Sequence, residues 1–149
     1  ITKTFSKAFG LAGLRVGWAY CPKKIAEKLD ILKVPFSVNT AAQMAAISAL
    51  EDDNHINLSV EHNSKWKKIL SDCFADLGLI VYPSQCNFIL VEFLEPSKFS
   101  AKEAYHLLSS KGIIVREMEE YNLPNCLRIS IGKEEANLLL IETVNAFKK

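Results

Sequence analysis

Thr4-Phe5-Ser6-Lys7-Ala8-Phe9-Gly10-Leu11-Ala12-Gly13-Leu14-Arg15-Val16-Gly17 sets a lysine beside hydroxyl groups, follows it with three glycines and places an arginine eight residues beyond it. The residue types form a coherent site for a phosphate-bearing aldehyde. A lysine amine can condense with a carbonyl to a Schiff base. Hydroxyls and a planar guanidinium fork can hold a phosphate. The glycines permit positive φ and close backbone approach in the intervening loop. A surface turn would have no need of this arginine spacing.

The bulk numbers set the frame. A chain of 149 residues fits one domain, or one domain and part of another. With 49% hydrophobic and 23% charged residues it has enough apolar side chains for a core. A net charge of +1, with no basic stripe and no acidic tail, argues against nucleic-acid binding. No apolar run reaches the roughly 18 residues of a membrane-spanning helix, and the start lacks a signal-peptide layout. Cys21, Cys73, Cys86 and Cys126 show no zinc spacing, so no metal site is expected. Each lies in an apolar stretch and reads as a small buried hydrophobe of a cytoplasmic protein.

Around the loop, residues 1–5 read as a strand end and residues 15–21 as a strand closed by Pro22. Ile25, Leu29 and Leu32 share one helical stripe. Thr40 is the expected N-cap of an alanine-rich helix running to Glu51. Residues 56–77 predict a helix with Trp66, Ile69, Leu70, Cys73, Phe74 and Leu77 on its apolar face. Strands follow at 79–82 and 87–93, then a helix from Ser100, with Glu103 at the capping-box position, to Lys111. Residues 113–116 read as a strand and 117–125 as a polar loop. Residues 126–131 alternate, with Leu127, Ile129 and Ile131 on one face and Arg128 and Ser130 on the other. The last helix, 134–147, carries Ala136, Leu139, Leu140, Thr143, Val144 and Phe147 on its stripe. From residue 56 onward the pattern is α+β, with helices on one face of a largely antiparallel sheet.

Residues 6–17 closely resemble the lysine loop of the fold-type I pyridoxal-phosphate (PLP) aminotransferases, and most of all that of the histidinol-phosphate aminotransferases. The resemblance implies a small α+β C-terminal domain at 56–149. It implies an inter-domain helix and connector at 40–55, and at 1–39 a remnant of the large α/β PLP-binding domain. A chain opening at Ile1, inside a strand leading to the lysine, is then expected to be the C-terminal part of a longer protein.

The resemblance also implies roles. Lys7 is the Schiff-base lysine and proton shuttle; Thr4, Ser6 and Arg15 surround the cofactor phosphate. Arg128, in Leu127-Arg128-Ile129, matches the arginine that binds the anionic end of the substrate, and Arg116 resembles a second arginine near the same anion. Paired guanidinium groups suit a phosphate monoester better than a carboxylate alone. Arg116 is equally suited to a salt bridge in a loop. Asn87 either approaches the site or forms a strand-entry turn. His55, His62 and His106 have no partner spacing and read as surface residues.

No acidic residue is assignable to the cofactor ring nitrogen and no aromatic to its face. The isolated chain is therefore expected to be inactive. The partners implied are an amino donor and a 2-oxo acid, in a cytoplasmic homodimer of histidine biosynthesis. An aromatic aminotransferase, a threonine-phosphate decarboxylase and a non-catalytic fragment remain open alternatives.

Overall fold

The computed structural model describes residues 1–93 and 100–146. Phe147, expected on the last helical stripe, lies outside the described residues. The chain divides into two compact units, Ile1–Glu61 and His62–Lys149.

In the first unit, β1 (Thr2–Thr4) pairs antiparallel with β2 (Gly17–Ala19), with Thr4 opposite Gly17. The expected strand at 15–21 is shorter because Ala12–Leu14 form a 3₁₀ turn and Arg15 takes the left-handed conformation at φ 55°. A left-handed residue cannot continue an extended ladder. Gly17 is required by close approach: a Cβ there would stand 2.7 Å from the Lys3 carbonyl oxygen.

Two helices follow, α1 (Lys23–Leu32) and α2 (Thr40–Glu51). The α2 cap is Asn39 rather than Thr40: the Ala42 N–H donates to Asn39 Oδ1 at 2.8 Å, and Thr40 is the first helical residue. Of the alanine face, Ala42 and Ala46 are buried. The α1 stripe is another matter. Ile25, Leu29 and Leu32 are 50%, 49% and 80% exposed, so the amphipathic pattern is present but uncovered.

Helix α3 (Asp53–Ala75) starts earlier than residue 56, because Asp52 Oδ1 accepts from the His55 N–H and caps it. Its C-terminal half delivers Leu70 and Phe74 into the second unit's core. That unit is built on a wholly antiparallel sheet of order β3-β4-β6-β5, comprising Ile80–Tyr82, Phe88–Glu92, Cys126–Ser130 and Arg116–Glu117. Ile89 faces Ile129 and Val91 faces Leu127 across β4 and β6, all fully or almost fully buried. Onto this face pack α3, α4 (Ala101–Ser110) through Ala104 and Leu108, and α5 (Glu134–Asn145) through Leu140 and Val144. Each large apolar side chain so buried contributes roughly 1.5–3 kcal/mol. The α+β architecture, with helices on one sheet face, is as expected.

The capping box of α4 forms as read: the Glu103 N–H donates to Ser100 Oγ while the Ser100 N–H donates to the Glu103 carboxylate. Four details differ. The strand placed at 113–116 begins only at Arg116, where pairing with β6 starts. The loop at 117–125 contains a 3₁₀ turn, Glu119–Tyr121. On α5 the inward position is Asn137, not Ala136, and Leu139 is 41% exposed. Cys86 is exposed because it sits in the turn before β4, whereas Cys126 is buried on β6 and burial pushes its thiol pKa up.

Candidate active site

The lysine loop is a closed local structure. The Leu11 N–H donates to the Phe5 carbonyl at 2.9 Å, and the Gly10 N–H donates to the Lys7 carbonyl at 2.8 Å. Phe5, 4% exposed, anchors the loop, and the Phe9 ring stacks tilted on it at 4.7 Å. Gly10 closes the turn at φ +71°, a conformation that costs other residues strain. Lys7 thus projects from a tight turn braced by aromatics and is exposed.

Thr4 Oγ1 donates to Ser6 Oγ at 2.8 Å and accepts from the Ser6 N–H at 3.1 Å. This leaves the Ser6 hydroxyl hydrogen to donate elsewhere, a fitting arrangement beside an anion. Arg15 donates from one guanidinium nitrogen to the Ala12 carbonyl at 2.7 Å, which fixes the fork relative to its own 3₁₀ turn. A bulky residue held at positive φ stores on the order of 1–3 kcal/mol, a cost that recurs at ligand-binding positions. Lys7, the Thr4–Ser6 hydroxyl pair and Arg15 therefore belong to one locally hydrogen-bonded segment of the first unit.

The second unit carries the other candidates. Arg116 on β5 stands directly opposite Arg128 on β6, and Leu90 on β4 flanks Arg128 from the other side. These side chains occupy the sheet face away from the core. Arg128 is half-buried, lies 5.1 Å over the Phe88 ring, and its Nε is buried without a partner among the described residues. Arg116 is exposed, reaches Glu120 at 3.4 Å and the Tyr121 hydroxyl at 3.3 Å, and lies over the Tyr121 ring. Asn87 precedes β4; its carbonyl accepts from the Ile131 N–H at 2.9 Å and its side chain is exposed.

Two residues have roles that the sequence reading did not assign them. His62 is no surface residue: half-buried, it donates from Nε2 to the Gly132 carbonyl at 2.8 Å. Asn137, 1% exposed, bonds both the N–H and the carbonyl of Gly132 at 2.9 Å. Together they pin the end of β6. The signal in sequence is a polar residue, Asn137, at a helical core position shortly after a glycine.

Among the described residues no group of three or more His, Cys, Asp or Glu could hold a metal ion, and no helix is long and apolar enough to cross a membrane. The chain is 42% identical to the histidinol-phosphate aminotransferase of Rhodopseudomonas palustris over 147 residues, 99% of this chain and 40% of that protein. It is 43% identical to that of Maricaulis maris over 149 residues, 100% of this chain and 41% of the relative. The chain thus spans about 40% of the length of these relatives. Among solved structures it is similar to the histidinol-phosphate aminotransferase of Sinorhizobium meliloti in complex with pyridoxal-5'-phosphate. There the TM-score is 0.82 at 29% identity, covering 97% of this chain and 41% of that one. The profile described as Aminotransferase class I and II matches residues 1–144, so nearly the whole chain, lysine loop and antiparallel sheet alike, belongs to the class I and II aminotransferases.

Proposed function

We propose that this chain is the lysine-bearing, C-terminal portion of a PLP-dependent aminotransferase that takes its amino group from histidinol phosphate and passes it to 2-oxoglutarate. The observation that carries the substrate is the β5–β6 register, which sets Arg116 opposite Arg128. Like charges directly opposite on a sheet destabilise it, and a phosphate between them reverses the sign. The Glu120 partner of Arg116 is 83% exposed, so the pair it makes is weak and readily exchanged for a phosphate. The unpaired Arg128 Nε supplies a further buried donor.

The residues of the lysine loop suit the cofactor. Ser6, Thr4 and Arg15 would hold its phosphate, and Lys7 its aldehyde carbon. PLP, when bound, supplies a carbonyl for the amine and a ring that draws electrons from the substrate Cα. Once the donor's amino group has taken its place on that carbon, the freed Lys7 Nζ would take the proton from the donor Cα as general base. Arg128 and Arg116 orient the donor by its phosphate, and Asn87 borders the same strand. In this reading residues 1–39 belong to a large cofactor domain, 40–55 link the domains and 56–149 form the small one. The working enzyme is a cytoplasmic homodimer, and the isolated chain is inactive.

The test is kcat/KM for histidinol phosphate and for an unphosphorylated amino donor, in a protein extended to the length of its relatives. Arg128→Ala should cost the phosphorylated donor about 2–5 kcal/mol. Arg128→Lys should also be impaired, because an ammonium lacks the fork. Arg116→Ala should lose more with the phosphorylated donor than with the plain one. Equal losses would move the reading to a general amino-acid aminotransferase.

A further inference from the structure

We propose that Tyr121 is a positioning residue for the donor phosphate, acting through Arg116. The proposal rests on the paired-arginine reading of the substrate site and adds a residue to it. Arg116 is the looser member of that pair: it is exposed and lies on a two-residue strand at the edge of the sheet. Ordering a long, exposed side chain for an anion costs binding free energy. Tyr121 does part of that ordering in advance. The Arg116 guanidinium donates to the Tyr121 hydroxyl oxygen at 3.3 Å and lies 5.3 Å from the centre of its ring. The same guanidinium nitrogen reaches the Glu120 carboxylate at 3.4 Å.

The two partners of Arg116 differ in what they do when an anion arrives. Glu120 is itself an anion, so it competes with a phosphate for the guanidinium, and its exposed pair is weak. Tyr121 is neutral. Its oxygen takes one of the five N–H donors of arginine, and neither that oxygen nor the ring cancels the charge. The hold of Tyr121 is therefore compatible with a bound phosphate and persists after Glu120 has left.

Backbone, rather than burial, places the phenol, since Tyr121 is 53% exposed. It ends the 3₁₀ turn Glu119–Tyr121, which leaves β5 through the buried Met118. The Met118 carbonyl accepts from the Tyr121 N–H at 2.9 Å and from the Leu123 N–H at 3.2 Å. The Asn122 N–H donates to the Glu119 carbonyl at 2.9 Å, and the Leu123 carbonyl accepts from the Cys126 N–H at 3.1 Å. The turn is thus tied to β5 at one end and to β6 at the other, the two strands that carry Arg116 and Arg128.

Two measurements test this. The first is steady-state kinetics of the full-length holoenzyme with histidinol phosphate and with an unphosphorylated donor. Tyr121→Leu should lower kcat/KM for the phosphorylated donor about tenfold, mostly through KM, with a smaller loss for the plain one. Tyr121→Phe, which keeps the ring and loses the oxygen, should fall between wild type and Tyr121→Leu. In an Arg116→Ala background Tyr121→Leu should cost nothing further, because the residue acts through Arg116. The second measurement titrates this chain with inorganic phosphate and follows the backbone amide signals of Arg116 and Arg128 by NMR. Tyr121→Leu should require about tenfold more phosphate for the same shifts. Glu120→Gln, which removes the competing anion, should require severalfold less.

Equal losses for both donors, or an undiminished loss in the Arg116→Ala background, overturn the positioning role. Phosphate titrations that coincide in wild type and Tyr121→Leu do the same. The paired-arginine reading fails by a different result: an Arg116→Ala variant that leaves the donor preference unchanged overturns that reading and this inference with it. An Arg116→Ala variant that loses the preference beside a Tyr121→Leu variant that keeps it overturns this inference alone.

Discussion

The second unit of the molecule encloses a core; the first hardly does. In His62–Lys149, Leu70, Phe74, Ile89, Val91, Leu127 and Val144 are completely shielded from solvent. In Ile1–Glu61 the buried apolar residues are Phe5, Ala42 and Ala46, while Leu32, Val34 and Phe36 are 80%, 69% and 97% exposed. Yet the first unit holds the lysine loop, with backbone at positive φ at Gly10, Arg15 and Phe36. The lesson is a division of labour: stability is generated around the antiparallel sheet, and the lysine loop sits where little core supports it. The relatives are more than twice as long as this chain.

The sharpest way to break that division is to strike the chemistry without touching the core. Lys7→Ala, in a protein of full length with saturating PLP, should lower turnover by at least about a hundred- to ten-thousandfold while the urea midpoint stays put. Activity within about tenfold of wild type, a barrier change near 1.4 kcal/mol, would remove Lys7 from the mechanism.

The complementary blow falls on the core. Phe74→Ala leaves a cavity at a fully buried site and should cost about 3–5 kcal/mol in urea denaturation. Leu29→Ser, on the exposed stripe of α1, should shift stability of this chain by no more than about 0.5 kcal/mol. Comparable losses for the two variants would mean that the first unit has a core after all.

A smaller effect is expected at the pin holding the end of β6. Asn137→Ala strips Gly132 of the partner of its N–H and of one partner of its carbonyl. Leaving such groups buried and unsatisfied costs about 1–3 kcal/mol. The carbonyl keeps its bond from His62, so the loss should sit at the lower end. A stability change indistinguishable from zero would show that water replaces the amide.

The smallest effect is a pH dependence at the start of α4. Hydrogen bonds from the Ser100 N–H, then from its hydroxyl, hold the Glu103 pKa below the usual carboxylate value. A lowered folded pKa contributes stability that is present in full above the unfolded value and disappears as pH falls through the folded one. Wild type should therefore exceed Glu103→Gln in stability at neutral pH, and the gap should close on acidification. A gap that widens toward low pH would contradict the assignment.

Legibility followed distance along the chain. The family of the Lys7 loop was readable because its motif is contiguous, and its turn closes on itself through Gly10 and Leu11. The α4 capping box was readable for the same reason, as Ser100 and Glu103 are three residues apart. Alternation in β6 correctly put Leu127 and Ile129 in the core and Arg128 on the other face. The left-handed turn at Arg15 escaped because a non-glycine residue there goes against local preference and needs its surroundings to enforce it. The α1 stripe misled, since periodicity says which side of a helix is apolar and nothing about what covers it.

By itself, then, the order of residues determined the family to which the lysine loop belongs, most of the helices and strands of the second unit and the inward face of its sheet. These depend on neighbours in sequence and on periods of two and 3.6 residues. Only the tertiary structure decided that Arg116 faces Arg128, that Phe88 lies beneath Arg128 and that Asn137 grips Gly132. Strand register settles the first two and helix rotation the last. Both are set by how whole elements bury their apolar faces against one another, and no local run of residues encodes that.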